Sequence, residues 1–259
     1  LRTLPAVLIL AVLASCARNG QSGDAWGGSP GGASGATPDT LISADSALAV
    51  LRREMVRTQI EARGVRDTTV LRVMREVPRH LFVPEVSPTL AYGDGALPIS
   101  HGQTISQPYI VAFMAEAADI RPSERVLEVG AGSGYGAAVL SGLAAEVYTI
   151  EIIPELAERA RVALERIGRE NVRVLAGDGW KGWPERAPFD AIVVTAAPPE
   201  IPPALVAQLA VGGVMVVPVG TWEQTLRVLR KTPGGLVEEE SLPVRFVPMV
   251  RPPGDTAHG

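Results

Sequence analysis

Four glycines at alternate positions, Gly130, Gly132, Gly134 and Gly136, follow the acidic Glu128 in the run VLEVGAGSGYG. Glycines between a strand and a helix let a ligand approach the backbone closely, at a point where free N–H groups are expected to converge. Glu151 stands seventeen residues beyond Gly134 at the end of YTIE, where a carboxylate can accept the hydrogens of both hydroxyls of a ribose. Asp178-Gly179 ends the apolar run VLAGDG, well placed to meet an adenine amino group. No Gly-Lys-Ser/Thr follows the glycines, so the loop is not built to grip a triphosphate. A dinucleotide loop would need a further glycine where Tyr135 stands. That residue, with the lack of a hydride-transfer acid, disfavours a dehydrogenase. Glu128 ahead of the loop suits a cationic ligand better than a pyrophosphate. The pattern VLEVGAGSG…YTIE…AGDG points to S-adenosylmethionine, with Glu128, Gly130, Ala131, Gly132, Gly134, Glu151, Asp178 and Gly179 as its expected contacts.

Directly upstream lies HGQTISQPY, residues 101–109, a polar segment with no carboxylate and no cysteine. Ser106 has two readings there. It could cap the helix that follows, its hydroxyl accepting a first-turn N–H, or it could face a substrate beside a helix N-terminus that favours anions. Thr195-Ala196-Ala197 ends an apolar run where ligand-touching residues of such folds occur, although small residues there also suit close packing. Trp180 and Trp183 could wall an adenine or belong to the core.

These residues need elements to hold them. Apolar runs predict strands over residues 125–129, 146–151, 171–178, 189–197, 212–220, 225–231 and 243–250. Helical spacing predicts helices over about 43–64, 67–75, 107–118, 133–144, 154–168 and 202–210, with Asp67 as a cap and Pro154 in a first turn. Alternation of strand and helix implies an α/β fold: a doubly wound, mostly parallel seven-stranded sheet with helices on both faces, an antiparallel pair at one edge, and extra N-terminal helices.

Composition restricts the function. The chain has 259 residues and a formal charge of -4, which argues against nucleic-acid binding. Three histidines and one cysteine leave no set for a metal centre and no disulfide. LPAVLILAVLA (residues 4–14) is too short to span a bilayer but suits a secretory segment. It runs into Leu13-Ala-Ser-Cys16, which resembles a bacterial lipobox and makes Cys16 a lipidation candidate; the competing reading is a misassigned start, since Met55 lies inside the first convincing helix. Residues 1–16 are thus expected to be signal-like, 17–42 a Gly/Ser/Pro-rich flexible linker, 43–251 the folded domain and 252–259 a disordered tail.

Residues from about 50 to 250 resemble the protein-L-isoaspartate O-methyltransferase family. The resemblance rests on RGVRDTTVLRVMREVPRHLFVPE, YGDGALPISHGQTISQPYIVAFMAE, GDGWKGWPERAPFDAIVVTAA and VRFVPMV. Ser100, Gly95 and the N-terminal extension depart from the family pattern. The resemblance implies transfer of a methyl group from S-adenosylmethionine to the free carboxyl of L-isoaspartyl residues in damaged proteins and peptides. It implies Ser106 as the catalytic residue, without a metal, in a monomer. Asp94, His101, Thr104, Thr195 and Ala196 are the expected substrate contacts. An acceptor carboxylate is already ionised at neutral pH, so few titratable groups are needed. The alternatives are another S-adenosylmethionine-dependent methyltransferase and a non-catalytic envelope lipoprotein using the fold as a binding module. Cofactor supply favours the cytoplasm, whereas Cys16 favours anchorage in the envelope.

Overall fold

A computed structural model describes residues 38–252. Cys16, the signal-like segment, the linker up to residue 37 and the tail beyond 252 lie outside the described residues.

Helix α1 (Pro38–Met55) begins within the expected linker, ahead of the expected boundary near 43. It continues as a π turn over Val56–Ile60 and a 3-10 turn over Glu61–Arg63, and Gly64 ends it at φ +105°. Helix α2 (Thr68–Glu76) starts at the Asp67 cap, whose carboxylate accepts Thr69 N–H at 2.7 Å and Val70 N–H at 2.9 Å.

The polar stretch expected to be a loop contains a small antiparallel hairpin, β1 (Leu97–Pro98) on β2 (Thr104–Ile105), closed by Ile99 N–H to Gln103 O at 2.8 Å. Helix α3 (Pro108–Ala117) follows with Pro108 at its first position, which moves the cap to Gln107. The hydroxyl of Ser106 therefore does not cap the helix.

The main sheet contains β3 (Arg125–Val129), β4 (Glu146–Glu151), β5 (Val172–Ala176), β6 (Phe189–Val194), β7 (Leu209–Val219), β8 (Gln224–Thr232) and β9 (Gly235–Val244), in the order β5-β4-β3-β6-β7-β8-β9. The pairs from β5 through β7 are parallel; β8 is antiparallel to both β7 and β9. The last strand was expected at 243–250 but closes as β9 at Val244; residues 247–250 turn away from the sheet edge.

Alternating strand residues separate into two cores, as a period of two requires. Val126, Val147, Val193 and Val216 face one side with α1, α2, α3, α4 (Tyr135–Leu140) and α5 (Pro154–Arg166). Leu127, Ile150, Ile192 and Val217 face the other with Phe189, Trp180, Met249 and Leu205 of the short α6 (Pro203–Gln208). Each of these eight aliphatic strand residues is buried and contributes about 1.5–3 kcal/mol of burial. Helical cover is thus uneven: among the described residues, five helices pack on one face, and one short helix with irregular segments on the other. Sequence order reverses between β3 and β6, which are neighbours, so a crevice opens beyond their carboxyl ends.

Candidate active site

The crevice at the β3–β6 reversal encloses about 1090 Å³ counting its open mouth. Its floor is the loop after β3. Gly130 at φ +101° turns the chain sharply enough that a Cβ there would overlap Thr195 Oγ1. Four N–H groups of the glycine loop, expected from sequence to converge free, are engaged within the protein. Gly130 N–H and Ala131 N–H both donate to Ile150 O, at 2.8 and 3.1 Å, Gly134 N–H donates to Ala131 O at 2.7 Å, and Gly132 N–H donates to Glu151 Oε2 at 2.8 Å. With these four donors engaged, the loop is not built as a phosphate cradle. Gly132 alone of the four borders open space, where a Cβ would have only Ile99 Cδ1 near it, at 3.8 Å.

Glu151 ends β4 on the crevice wall. One oxygen accepts from Gly132 and the other from Ile153 N–H at 3.0 Å, fixing the carboxylate plane while each oxygen keeps a second lone pair. Glu128 sits beneath the loop, 1% exposed. Thr149 donates its hydroxyl to Glu128 Oε2 at 2.6 Å, and a Cβ on Gly136 would overlap Oε1. Burial, opposed by Thr149 and assisted by the charge of Glu151, pushes the Glu128 carboxyl up to about 8. Burial thus favours the protonated form of this carboxyl, which is expected from sequence to face a cationic ligand as an anion.

Asp178 lies behind Gly179, which lines the crevice. Its Oδ1 accepts Trp180 N–H at 3.0 Å. Its Oδ2 is buried without a hydrogen-bond partner among the described residues; Lys181 Nζ stands 3.5 Å from it on a side chain that is 72% exposed. An acceptor left without a hydrogen bond at such a position calls for a donor. Trp180 is buried under Arg251, whose guanidinium carbon lies 3.8 Å from the ring centroid, whereas Trp183 packs edge-on against Tyr148 in the core. S-adenosylmethionine fits this donor and acceptor set: Glu151 for ribose hydroxyls, Asp178 Oδ2 for an adenine amino group, and glycines where bulk must be absent. Among the described residues, no group of three or more His, Cys, Asp or Glu could hold a metal ion.

Thr104 and Ser106 also line the crevice. The Ser106 hydroxyl makes no hydrogen bond to a described residue, while its carbonyl is held from below by Arg79 Nη2 at 2.8 Å. Thr195 and Ala196 line the crevice as expected, but the Thr195 hydroxyl braces the glycine loop by donating to Gly130 O at 2.6 Å. Asp94 and His101 are not on the crevice wall. The Asp94 carboxylate is paired with Arg63 and accepts Gln107 Nε2 at 2.7 Å, which orders the approach to α3. His101 occupies the exposed hairpin tip in a left-handed conformation, φ 60°. Gly134 stands at the start of α4, where a Cβ would meet Ala160 at 3.1 Å.

Two contributors were missed in the sequence. Val247, Pro248, Met249 and Val250 wall the crevice as a strap. It is tied to Ala197 by Ala197 N–H to Val247 O and Met249 N–H to Ala197 O, both 2.8 Å, and Gln224 pairs with both backbone groups of Phe246. Arg79 is the other; a charge inside the apolar run VPRHLFVP was its signal.

The family model for protein-L-isoaspartate(D-aspartate) O-methyltransferase (PCMT) matches residues 51–253. A protein-L-isoaspartate O-methyltransferase of Gloeobacter violaceus is 59% identical over 199 residues, covering 76% of this chain and 97% of that protein. Protein-L-isoaspartate O-methyltransferase 1 of Rhodopseudomonas palustris is 51% identical over 221 residues, covering 84% and 90%. A solved protein-L-isoaspartate O-methyltransferase superposes with a TM-score of 0.70 at 32% identity, covering 76% of this chain and 65% of that one. A Plasmodium falciparum structure solved with S-adenosyl-L-homocysteine gives 0.68 at 24% identity, covering 77% and 98%, a likeness of fold.

Proposed function

The chain belongs to the protein-L-isoaspartate(D-aspartate) O-methyltransferase family, and from that membership we propose how its residues divide the work of moving a methyl group from S-adenosylmethionine to the free carboxyl of L-isoaspartyl residues. The bound cofactor supplies a methyl group activated by a sulfonium. The acceptor carboxylate is ionised at neutral pH, so no base has to be supplied, and the task left to the protein is alignment and exclusion of water.

Glu151 holds the ribose through the lone pairs that Gly132 and Ile153 leave open. Asp178 takes the adenine amino group through Oδ2. Gly130, Ala131 and Gly132 keep the floor low. Ser106, with Thr104 also lining the crevice, orients the acceptor carboxylate by donating its hydroxyl hydrogen. Thr195 and Asp94 act indirectly, the first by bracing Gly130 and the second by ordering the segment before α3. The observation that supports this division is that Ser106 and Glu151 line one crevice, with the Ser106 hydroxyl engaged by no described residue.

Methyl transfer to an isoaspartyl peptide should exceed transfer to its aspartyl twin, with S-adenosylhomocysteine as the product. Equal rates on the two peptides would remove the repair assignment.

For the compartment, cytoplasmic synthesis of the cofactor supports a cytoplasmic enzyme, and Cys16 supports a lipid-anchored one. Mass analysis of the native N-terminus decides between them, because an acylated Cys16 means export.

A further inference from the structure

Arg79 opens the 3-10 turn after α2 and has no exposed surface; no other Lys or Arg among the described residues is buried. Its guanidinium joins three segments that the chain brings together from far apart. Nε donates to Ala91 O at 2.8 Å, Nη2 donates to Ser106 O at 2.8 Å, and the guanidinium carbon lies 4.8 Å from the centroid of the Tyr135 ring. Tyr135 is the first residue of α4, immediately after Gly134. One rigid side chain therefore touches the acceptor-side segment and the element that follows the cofactor-side loop.

Among the described residues no carboxylate pairs with Arg79. Burial pulls it down to about 10 against its contacts with Tyr135 and Tyr92, so it is a cation at neutral pH. A buried charge without a counter-charge is a costly way to tie two carbonyls together. Its advantage is geometric: the planar fork fixes the direction of each N–H, which a lysine cannot do.

We propose that Arg79 is the positioning residue for Ser106, setting the height of the serine's loop against the cofactor loop through Tyr135. The proposal rests on the reading that Ser106 orients the acceptor carboxylate. Ser106→Ala keeps the backbone carbonyl that Arg79 holds, so the two residues can be tested separately and together.

The experiment is a double-mutant cycle in the full chain with Arg79→Lys and Ser106→Ala, reading kcat and KM for an isoaspartyl peptide, KM for S-adenosylmethionine, and the Kd of S-adenosylhomocysteine. Arg79→Lys should lower kcat about 10- to 100-fold, the loss expected of a misplaced reacting group. KM for S-adenosylmethionine and the Kd of S-adenosylhomocysteine should stay within about twofold of wild type. In the Ser106→Ala background the same change should cost less than about threefold, because coupled residues are not additive. Arg79→Gln takes the place of the lysine variant in the cycle if that variant does not fold. An equal loss in both backgrounds, or a fall in cofactor affinity as large as the fall in kcat, marks Arg79 as a general structural tie and overturns the proposal. A wild-type rate for Ser106→Ala alone overturns the serine's role, and the positioning role with it.

Discussion

Thr149 donates its hydroxyl hydrogen to Glu128 at 2.6 Å across the β3–β4 pair, in which the two are direct register partners. That bond opposes, without cancelling, the burial that pushes the Glu128 carboxyl from its ordinary 4.5 up to about 8. Between those values the folded protein holds a proton that the unfolded chain has lost. The contribution of Glu128 to stability is therefore fully present below about 4.5 and is lost as pH rises to about 8. Glu128→Gln removes the titration and keeps an acceptor for Thr149. Calorimetry of the free protein should show Tm falling more steeply from pH 5 to 8 in wild type than in the variant; superimposable profiles would refute the assignment.

Ser106→Ala should lower kcat on an isoaspartyl peptide by about 10- to 100-fold, the scale of lost orientation. Because Gln107 and not Ser106 stands at the cap of α3, the fold should change by less than about 0.5 kcal/mol. Steady-state kinetics together with urea unfolding measure both quantities. Full activity in the variant would leave the serine without a role in the reaction.

Gly130→Ala and Gly64→Ala form an informative pair. Both glycines have a left-handed φ, +101° and +105°, but a Cβ on Gly64 meets nothing within 4 Å while one on Gly130 overlaps Thr195 Oγ1. The Gly64 variant should lose only about 1 kcal/mol of stability to backbone strain and remain active. The Gly130 variant should lose more stability and fail to bind S-adenosylhomocysteine in calorimetric titration. Comparable binding by the two variants would argue against the close approach at Gly130.

Asp178→Asn tests the unpartnered carboxylate oxygen. The variant keeps the Oδ1 acceptor for Trp180 but replaces Oδ2 by a donor. Without ligand, its Tm should stay near that of wild type. The Tm gain on adding S-adenosylhomocysteine should shrink, matching an affinity loss of about tenfold, or about 1.4 kcal/mol. An undiminished gain would place the adenine amino group elsewhere.

The sequence displayed those parts of the fold that obey a simple period. Strands β3, β4 and β6 are apolar runs because both faces are covered, and Asp67 and Pro154 announce their helices through local chemistry. Position beyond the sheet edge was harder to read. VRFVPMV looks like a strand because it is apolar, but residues 247–250 are apolar because they wall the crevice. The real edge strand, GLVEEESLPV, reads as polar because it faces solvent. Glycine spacing and Glu151 pointed to residues that line the crevice. Nothing local showed that the N–H groups of the glycine loop would be taken by Ile150 and Glu151, since those bonds depend on β4 lying beside β3. Asp94 and His101 could each contact the substrate or serve the loop, and nothing local distinguishes these; the hairpin β1–β2 carries His101 at its exposed tip and Arg63 pairs with Asp94.

The strap at 247–250 also bears on biosynthesis. Strands β3, β4 and β6 and the floor of the crevice are all encoded before residue 198, yet the last wall belongs to Val247–Val250. A nascent chain must therefore emerge from the ribosome through Val250 before its crevice can close around a ligand. Ligand-assisted closure of the crevice then waits for the strap, and a chain cut ahead of Val247 would leave the site open on that side.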